Sequence, residues 1–193
     1  MVTDGDVRPF DRFAPAYDLV MPGADAATIR QGLAVAERDV RVGIDVAGGT
    51  GRAARAVPEV DWTVVDAAAG MLRVARRRGV DGVGGDAARL PIADESVDAV
   101  TIVDALHHVG RPDDALAEAA RVLAPGGVLV VCEFNPGTLR GKFLTASERL
   151  VGFDSQFWRP EELAARVELA GLEPYLPELG FGYAVAGRKP ADR

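Results

Sequence analysis

The chain has 193 residues, of which 48% are hydrophobic and 26% are charged, and its net charge is −7. These values are typical of one globular domain, and the acidic balance argues against a nucleic-acid-binding protein. No apolar run reaches the roughly 18 residues of a membrane span, and the acidic residues Asp4 and Asp6 argue against a signal peptide. Cys132 is the only cysteine, which excludes a disulfide scaffold and a cysteine-based zinc site and predicts a reducing, cytoplasmic environment.

Segments typical of helices and of strands alternate from about residue 25 onward. Apolar residues at helical spacing predict the helices, and short apolar runs bounded by polar turns predict the strands. In the first half these elements are a helix over 28–38, a strand over 40–46, a helix over 52–57, a strand over 62–66, a helix around Met71 that ends near Gly79, and a short strand within 80–86.

The second half continues this alternation and ends with two strands in succession. It contains a strand over 96–106, a helix over 112–123, a turn at 125–127, a strand over 128–134, a helix over 160–170, and strands over 173–179 and 181–188. Alternating elements predict a doubly wound α/β sheet with helices on both faces and ligands at the carboxyl ends of its strands. Because no helix separates the last two strands, we expect a hairpin, and therefore one antiparallel strand in an otherwise parallel sheet.

A glycine-rich turn lies between the first strand and the helix that follows it. The run Asp45-Val46-Ala47-Gly48-Gly49-Thr50-Gly51 lets the backbone turn sharply and approach a ligand that a Cβ atom would exclude. Alone, this turn fits a nucleotide-type cofactor and a tight turn without a ligand equally well. Gly49, Gly51 and Ala54 also satisfy the dinucleotide-binding fingerprint, so the neighbouring strands must decide the type of cofactor.

Two aspartates follow the next two strands at the same edge of the predicted sheet. Asp66 ends the second strand, where a carboxylate can accept both hydroxyls of a ribose; the alternative is a cap on the following helix. Asp86 follows the third strand, where it can accept an adenine amine; the alternative is a turn cap. Acidic or glycine-rich ends on three adjacent strands favour a nucleoside cofactor.

These segments together resemble the class I S-adenosylmethionine-dependent methyltransferases of the type 11 group, and among them the enzymes that methylate ubiquinone and menaquinone precursors. The resemblance runs from residue 10 to 135 and rests on FAPAYDLVMP (13–22), DVAGGTGRAA (45–54), VVDAAAGML (64–72), GDAARLP (85–91), VDAVTIVDALHHV (97–109) and RVLAPGGVLVVCEFNP (121–136). It implies a Rossmann-like, seven-stranded and mostly parallel sheet with an antiparallel C-terminal strand, one domain over 1–193, and S-adenosylmethionine as the cofactor. No metal site is expected.

The resemblance also implies which residues hold the cofactor, and it places residues 1–24 over it. The implied residues are Asp45, Ala47, Gly48, Gly49 and Gly51 around the methionine part, Asp66 at the ribose, Met71 or Leu72 on the adenine face, Asp86 and the Ala87 N–H at the adenine edge, and the Val103 backbone near the amino group or sulfur. Ala47 stands where the commonest family pattern has glycine, and Ala54 stands where the quinone-precursor enzymes often have a hydroxyl residue.

Four residues are candidates for catalysis, and each also has a structural interpretation. His107 and His108 can act as a base or shape the cleft, and Tyr17 can close over the cofactor or pack the N-terminal segment. Glu133 can be a base, a substrate contact or a strand-end cap. Methyl transfer needs mainly an in-line approach of acceptor, methyl group and sulfur, and such positioning can be worth about 7–11 kcal/mol.

Residues 137–159 lack the Arg-Tyr-rich sequence that forms much of the substrate site in the quinone-precursor enzymes. Their large apolar side chains predict either a lid over a hydrophobic or aromatic small molecule or simple packing on the sheet edge; they are Phe143, Leu144, Leu150, Phe153, Phe157 and Trp158. The predicted function is methyl transfer from S-adenosylmethionine to a small molecule such as a quinone or lipid precursor. The alternatives are a nicotinamide-dependent oxidoreductase and a non-catalytic S-adenosylmethionine-binding protein.

Overall fold

The computed structural model describes Ala14 and residues 24–151, 155–178 and 180–191. Its elements in chain order are α1 (Ala26–Leu33), β1 (Val42–Val46), α2 (Arg52–Ala56), β2 (Asp61–Asp66), α3 (Ala69–Arg77), β3 (Asp81–Gly84), β4 (Val97–Val103), a 3₁₀ turn (Leu106–His108), α4 (Pro112–Val122), β5 (Leu123–Phe134), α5 (Leu139–Val151), α6 (Pro160–Leu169), β6 (Glu173–Glu178) and β7 (Gly182–Arg188). Within these described ranges, no helix combines the length and apolar character needed to cross a bilayer.

The seven strands form one sheet in the order β3-β2-β1-β4-β5-β7-β6. Neighbours from β3 to β5 pair in parallel, whereas β7 pairs antiparallel with both β5 and β6. Six strands therefore run in one direction and β7 in the other, which confirms the predicted hairpin and its single antiparallel strand. The strand order reverses between β1 and β4, and ligands of such sheets bind in the crevice at this point.

Apolar side chains cover both faces of the sheet, because successive residues of a strand point to opposite sides. Val100 and Ile102 of β4 face a core that includes residues of α4 and α6. Ala99 of the same strand faces a second core, which includes residues of α1, α2 and α3. The predicted helices on both faces are confirmed, and the central strands lie between two apolar layers.

The first helix starts earlier and ends earlier than the predicted 28–38. Asp25 caps its start, since its carboxylate accepts the Ala27 N–H at 2.9 Å. The chain leaves the helix after Leu33, and the Glu37 N–H donates to the Gly126 carbonyl at 2.9 Å. A tertiary backbone contact thus replaces the last helical turn that the apolar spacing predicted.

The predicted turn at 125–127 is a bulge within one long strand, so β5 begins at Leu123 instead of residue 128. Val97 of β4 pairs with Leu123, and Ala99 pairs with Val128, so several residues of β5 lie opposite one residue of β4. The fourth strand was predicted to reach residue 106 but ends at Val103. A left-handed residue and the 3₁₀ turn follow it, and they redirect the chain at the carboxyl edge of the sheet.

Candidate functional site

The glycine-rich turn joins β1 to α2 through residues in the left-handed conformation. Ala47, Gly49 and Gly51 have φ angles of 52°, 58° and 75°. The Ala47 N–H donates to the Val65 carbonyl at 2.7 Å, which ties the turn to β2. Since a left-handed alanine costs roughly 1–2 kcal/mol, this turn is held in place by the surrounding structure.

The glycines of this turn make room for different neighbours. A Cβ atom on Gly48 would lie 2.3 Å from the Asp45 Oδ2 atom, and one on Gly51 would lie 3.2 Å from the Val80 side chain. A Cβ atom on Gly49 would meet the Met71 sulfur at 3.7 Å and no other atom of the described residues within 4 Å. Gly48 and Gly51 are therefore needed for the protein's own packing, whereas Gly49 borders space that the described residues leave for a ligand.

Asp66 connects the glycine turn to the start of α3. One carboxylate oxygen accepts the Gly49 N–H at 2.8 Å, and the other accepts the Ala68 N–H at 2.7 Å. Burial raises the pKa of Asp66, and these two hydrogen bonds oppose the rise. The N-cap of α3 is Ala68, so Asp66 is not the helix cap of the alternative interpretation. Each oxygen keeps a further lone pair, and its predicted contact with a ribose stays a prediction.

Asp45 is a fully buried carboxylate with an incomplete set of partners. Its Oδ1 atom accepts the Thr101 hydroxyl at 2.9 Å, whereas Oδ2 has no hydrogen-bond partner among the described residues. Burial raises the pKa of Asp45 to about 7. An unpaired carboxylate oxygen in the interior is costly, and a cationic ligand near this strand end would relieve that cost.

Met71 and Leu72 point in different directions, which separates the two candidates for the adenine face. Met71 lies beside Gly49 and packs with Ala14 and Ala68. Leu72 lies in the core against β3, where it occupies the space of a Cβ atom on Gly82 at 2.9 Å. Of the two side chains, Met71 is the one that borders the glycine turn.

Asp86 and Val103 complete the predicted edge of the cleft. One Asp86 oxygen accepts the Ala88 N–H at 2.9 Å, and the other pairs with Arg111 at 2.9 Å, so the predicted turn cap is present. Ala87, which lies between Asp86 and Ala88 in the sequence, is half-buried. Val103 is the last residue of β4 and pairs with Cys132 of β5. Adenine contacts of Asp86 and Ala87 stay predictions.

His107, in the 3₁₀ turn after β4, and Glu133, near the end of β5, form a buried pair. The His107 Nδ1 and Glu133 Oε2 atoms are 2.6 Å apart, and the His107 backbone N–H donates to Oε1 at 3.2 Å. The imidazole stacks on Phe157 with ring centroids 4.7 Å apart. The His108 ring contacts the His107 ring, with centroids 4.1 Å apart, and has the Ser155 hydroxyl 3.3 Å from its Nδ1 atom. Tyr17 lies outside the described residues.

Asp104 is a cleft residue that the sequence reasoning missed. It follows β4 directly, has a φ angle of 52°, and lies 3.6 Å from the Arg52 guanidinium. Burial is the main cause that raises the pKa of Asp104 to about 6, and the neighbouring Glu133 charge adds to it. An acidic residue at the end of an apolar strand is the signal that identified Asp66, and it was present here too.

The predicted apolar set of residues 137–159 is divided between core and surface. Trp158 is buried in the core, and its carbonyl accepts the Tyr183 hydroxyl at 3.0 Å, which fits simple packing, the alternative given for this side chain. Phe143 on α5 is 77% exposed. The α5 helix itself was not predicted. Phe153 lies outside the described residues, as do the side chains of Leu144 and Leu150.

Comparisons with known proteins agree with this geometry. Residues 44–131 match the family model of the methyltransferase domain. The demethylmenaquinone methyltransferase of Paenarthrobacter aurescens is 41% identical over 135 residues, which are 65% of this chain and 53% of that protein. The corresponding protein of Renibacterium salmoninarum is 40% identical over 146 residues, which are 70% of this chain and 61% of that protein. The chain thus spans little more than half the length of these relatives.

A solved structure extends the match to nearly the whole chain. The S-adenosylmethionine-dependent methyltransferase of Thermotoga maritima, named a possible histamine N-methyltransferase, is 29% identical, with a TM-score of 0.77, over 94% of this chain and 99% of that one. These findings confirm the predicted resemblance and fold, and with them S-adenosylmethionine as the cofactor of the family. They do not favour a nicotinamide-dependent oxidoreductase. Residues 44–131 thus match the methyltransferase domain, within a chain that has the fold of the S-adenosylmethionine-dependent methyltransferases.

Proposed function

We propose that the protein transfers the methyl group of S-adenosylmethionine to a flat, hydrophobic small molecule of the quinone-precursor class. The cofactor part of this proposal depends on the glycine turn, where the described residues leave space at Gly49 and no hydrogen-bond partner for the Asp45 oxygen beside Gly48. The acceptor class is supported by relatives named demethylmenaquinone methyltransferase and by the aromatic side chains around His107.

When bound, S-adenosylmethionine supplies an electrophilic methyl group on a positively charged sulfur. The described residues of this chain fit such a group, because they leave space at Gly49 and place carboxylates near the strand ends around it. Asp66 would hold the ribose hydroxyls, and Met71 would pack against the base. The main contribution of these residues is orientation, for which about 7–11 kcal/mol is available.

The proton that a phenolic acceptor loses passes to His107. In this proposal the His107 Nδ1 atom carries the proton that faces Glu133, from which it is 2.6 Å away, and Nε2 is the nitrogen that receives the proton of the acceptor. The same carboxylate stabilises the imidazolium formed by proton transfer. His107 is therefore the catalytic base of this proposal, and Glu133 is its positioning residue.

Aromatic side chains near the end of β5 favour a flat acceptor over an aliphatic one. His107 stacks on Phe157 and has Phe134 edge-on at 6.3 Å, and Phe134 in turn contacts Phe181 with centroids 5.3 Å apart. Aromatic rings in such arrangements gain about 0.5–1.5 kcal/mol per pair beyond their burial. An acceptor ring can add further stacking contacts to this cluster.

The proposal is tested by methyl transfer to a panel of hydroquinols, phenols and aliphatic amines, followed by mass spectrometry. We expect transfer to hydroquinols or phenols only. The variant H107Q should lower kcat roughly 100-fold at pH 7 and remove the acidic limb of the kcat–pH profile, while H108Q serves as the neighbouring control. Unchanged kcat in H107Q would refute the base, and transfer to amines alone would refute the acceptor class.

Residues 137–159 are proposed to cover the acceptor, and residues 1–24 to cover the cofactor. The exposed Phe143 of α5 supports the first part, because a large exposed aromatic side chain is a candidate contact for a hydrophobic ligand. F143S should raise KM for the acceptor about fivefold and leave cofactor affinity unchanged. The control is L169S, which alters an 88% exposed side chain at the end of α6. Equal effects of the two variants would contradict the lid.

A further inference from the structure

Asp104 lies between the glycine turn on one side and the His107–Glu133 pair on the other. It follows β4, whose neighbours in the sheet are β1 with the glycine turn and β5 with Glu133. Its backbone N–H donates to the Cys132 carbonyl at 3.0 Å, and its left-handed φ angle turns the chain away from the strand. Asparagine and aspartate tolerate this conformation best among residues other than glycine. The side chain is only 16% exposed, so the fold directs a carboxylate into a mostly buried position.

Asp104 faces the Arg52 guanidinium, which lies just beyond hydrogen-bonding distance from it. The Nη2 atom of Arg52, the first residue of α2 after the glycine turn, is 3.6 Å from the Asp104 Oδ2 atom. This distance is longer than a hydrogen bond. Burial and the Glu133 charge both disfavour the ionised form of Asp104. An additional cation in the cleft would stabilise that form, because the existing ion pair does not fully compensate it.

Four carboxylates lie at or near the carboxyl ends of four neighbouring strands, and Asp45, which is in register with Val64 of β2 and Thr101 of β4, is the deepest of them. They are Asp66 on β2, Asp45 on β1, Asp104 after β4 and Glu133 on β5. Among the described residues, Arg52 and His107 are the basic groups that act on Asp45 and Asp104. Acidic groups therefore outnumber basic ones at this edge of the sheet, and the local field favours a ligand with positive charge.

We propose that the Asp104 carboxylate makes the site select the methylated, cationic cofactor over the demethylated product. The two molecules differ by the methyl group and by one positive charge on sulfur, so a nearby anion stabilises the first and does little for the second. Asp104 then favours release of the product after each turnover. This inference rests on the proposed function, because it takes the cofactor as given.

Isothermal titration of S-adenosylmethionine and S-adenosylhomocysteine into the full chain at pH 8 tests the proposal. The isosteric variant D104N should lower the ratio of product Kd to cofactor Kd roughly 10-fold, since one full charge interaction at cleft distances is lost. An analogue with a protonated amine in place of the methylsulfonium should lose affinity in parallel with the cofactor, which separates the effect of charge from that of the methyl group.

Two further variants keep the test decisive. D39N removes the same charge from an 81% exposed residue before β1 and should leave the ratio unchanged. R52Q removes the competing cation and should raise the ratio severalfold, so the proposal is also tested if D104N does not fold. Ratios within twofold of the wild type in both D104N and R52Q would overturn the proposal. If the wild type bound neither ligand, the proposed function itself would be refuted.

Discussion

Asp98 and Asp45 are buried aspartates on neighbouring strands, and they differ in how completely they are paired. Asp98 lies near the amino end of β4, where one oxygen accepts the Arg41 and Val42 N–H groups, each at 3.0 Å. Its other oxygen pairs with Arg38 at 2.7 Å. Asp45 lies near the carboxyl end of β1, has the Thr101 hydroxyl as partner of one oxygen, and leaves the other oxygen unpaired among the described residues.

This difference separates structural from functional carboxylates in one sheet. At the amino edge, Asp98 is itself buried and accepts hydrogen bonds from two backbone donors while it pairs with Arg38, so it stabilises the fold. At the carboxyl edge, the Thr101 hydroxyl, the Ala54 backbone and Arg52 only partly offset the burial of Asp45, so its pKa stays raised. A buried oxygen without a hydrogen bond needs an explanation, and a bound ligand is one. The carboxyl edge is therefore the edge to test for binding and the amino edge for stability.

The largest effect is expected at Gly49. G49V places a branched side chain in the open space of the turn and should weaken S-adenosylmethionine binding at least roughly 1,000-fold, or about 4 kcal/mol. The control G171V carries the same backbone strain, since Gly171 has a φ of 86°, and a Cβ atom there meets nothing within 4 Å. Titration calorimetry on both folded variants decides the matter. Normal binding by G49V would show that the turn is not the cofactor cradle.

The second effect is a pH dependence of stability that originates at Asp45. The folded state holds the Asp45 proton up to about pH 7, whereas the unfolded chain loses it near pH 3.8, as an ordinary aspartate does. Between these values the folded state binds more protons, so stability falls as pH rises. D45N removes this contribution and should gain up to about 4 kcal/mol relative to the wild type between pH 4 and 8.

The measurement is urea denaturation at several pH values, with D61N as the control. Asp61 is the exposed first residue of β2, so D61N should follow the wild-type curve. Parallel curves for D45N and the wild type would mean that Asp45 is ionised without penalty. The contrast between the two sheet edges would then lose its energetic basis.

The third effect is a loss of stability at Asp98 that leaves cofactor binding unchanged. D98A leaves the Arg41 and Val42 N–H groups without their acceptor and should lower the free energy of unfolding by roughly 3 kcal/mol. Cofactor affinity of the folded fraction should stay within twofold of the wild type. Chemical denaturation and calorimetry together test this. A loss of affinity as large as the loss of stability would contradict the assignment of Asp98 to the fold alone.

The smallest effect concerns Asp66. D66A removes the expected hydrogen bonds to ribose hydroxyls and should weaken cofactor binding roughly 30-fold, about 2 kcal/mol. The matched control is D61A, at the opposite end of the same strand, which should bind normally. Calorimetric titration of S-adenosylhomocysteine into both variants gives the answer. Equal affinities would refute the ribose assignment.

Local patterns predicted most of the fold because they depend on neighbouring residues only. The apolar runs at β2 and β4 and the Pro112 helix start are close to their observed positions. Contacts between distant residues account for the errors. The Glu37–Gly126 hydrogen bond shortens α1, and Trp158 enters the core through contacts with Tyr183 that its flanking sequence does not reveal.

The sequence by itself determined the type of sheet, the place of the glycine turn and the strands whose ends carry acidic residues, because side-chain periodicity and glycine conformational freedom are local properties. Only the tertiary structure decided which carboxylates are paired. It joins Glu133 to His107 across 26 positions of sequence, brings Arg52 beside Asp104, and leaves one oxygen of Asp45 unpaired within the described part of the chain. The physical reason is that desolvation and ion pairing depend on distances between strand ends, and those distances exist only once the sheet has formed.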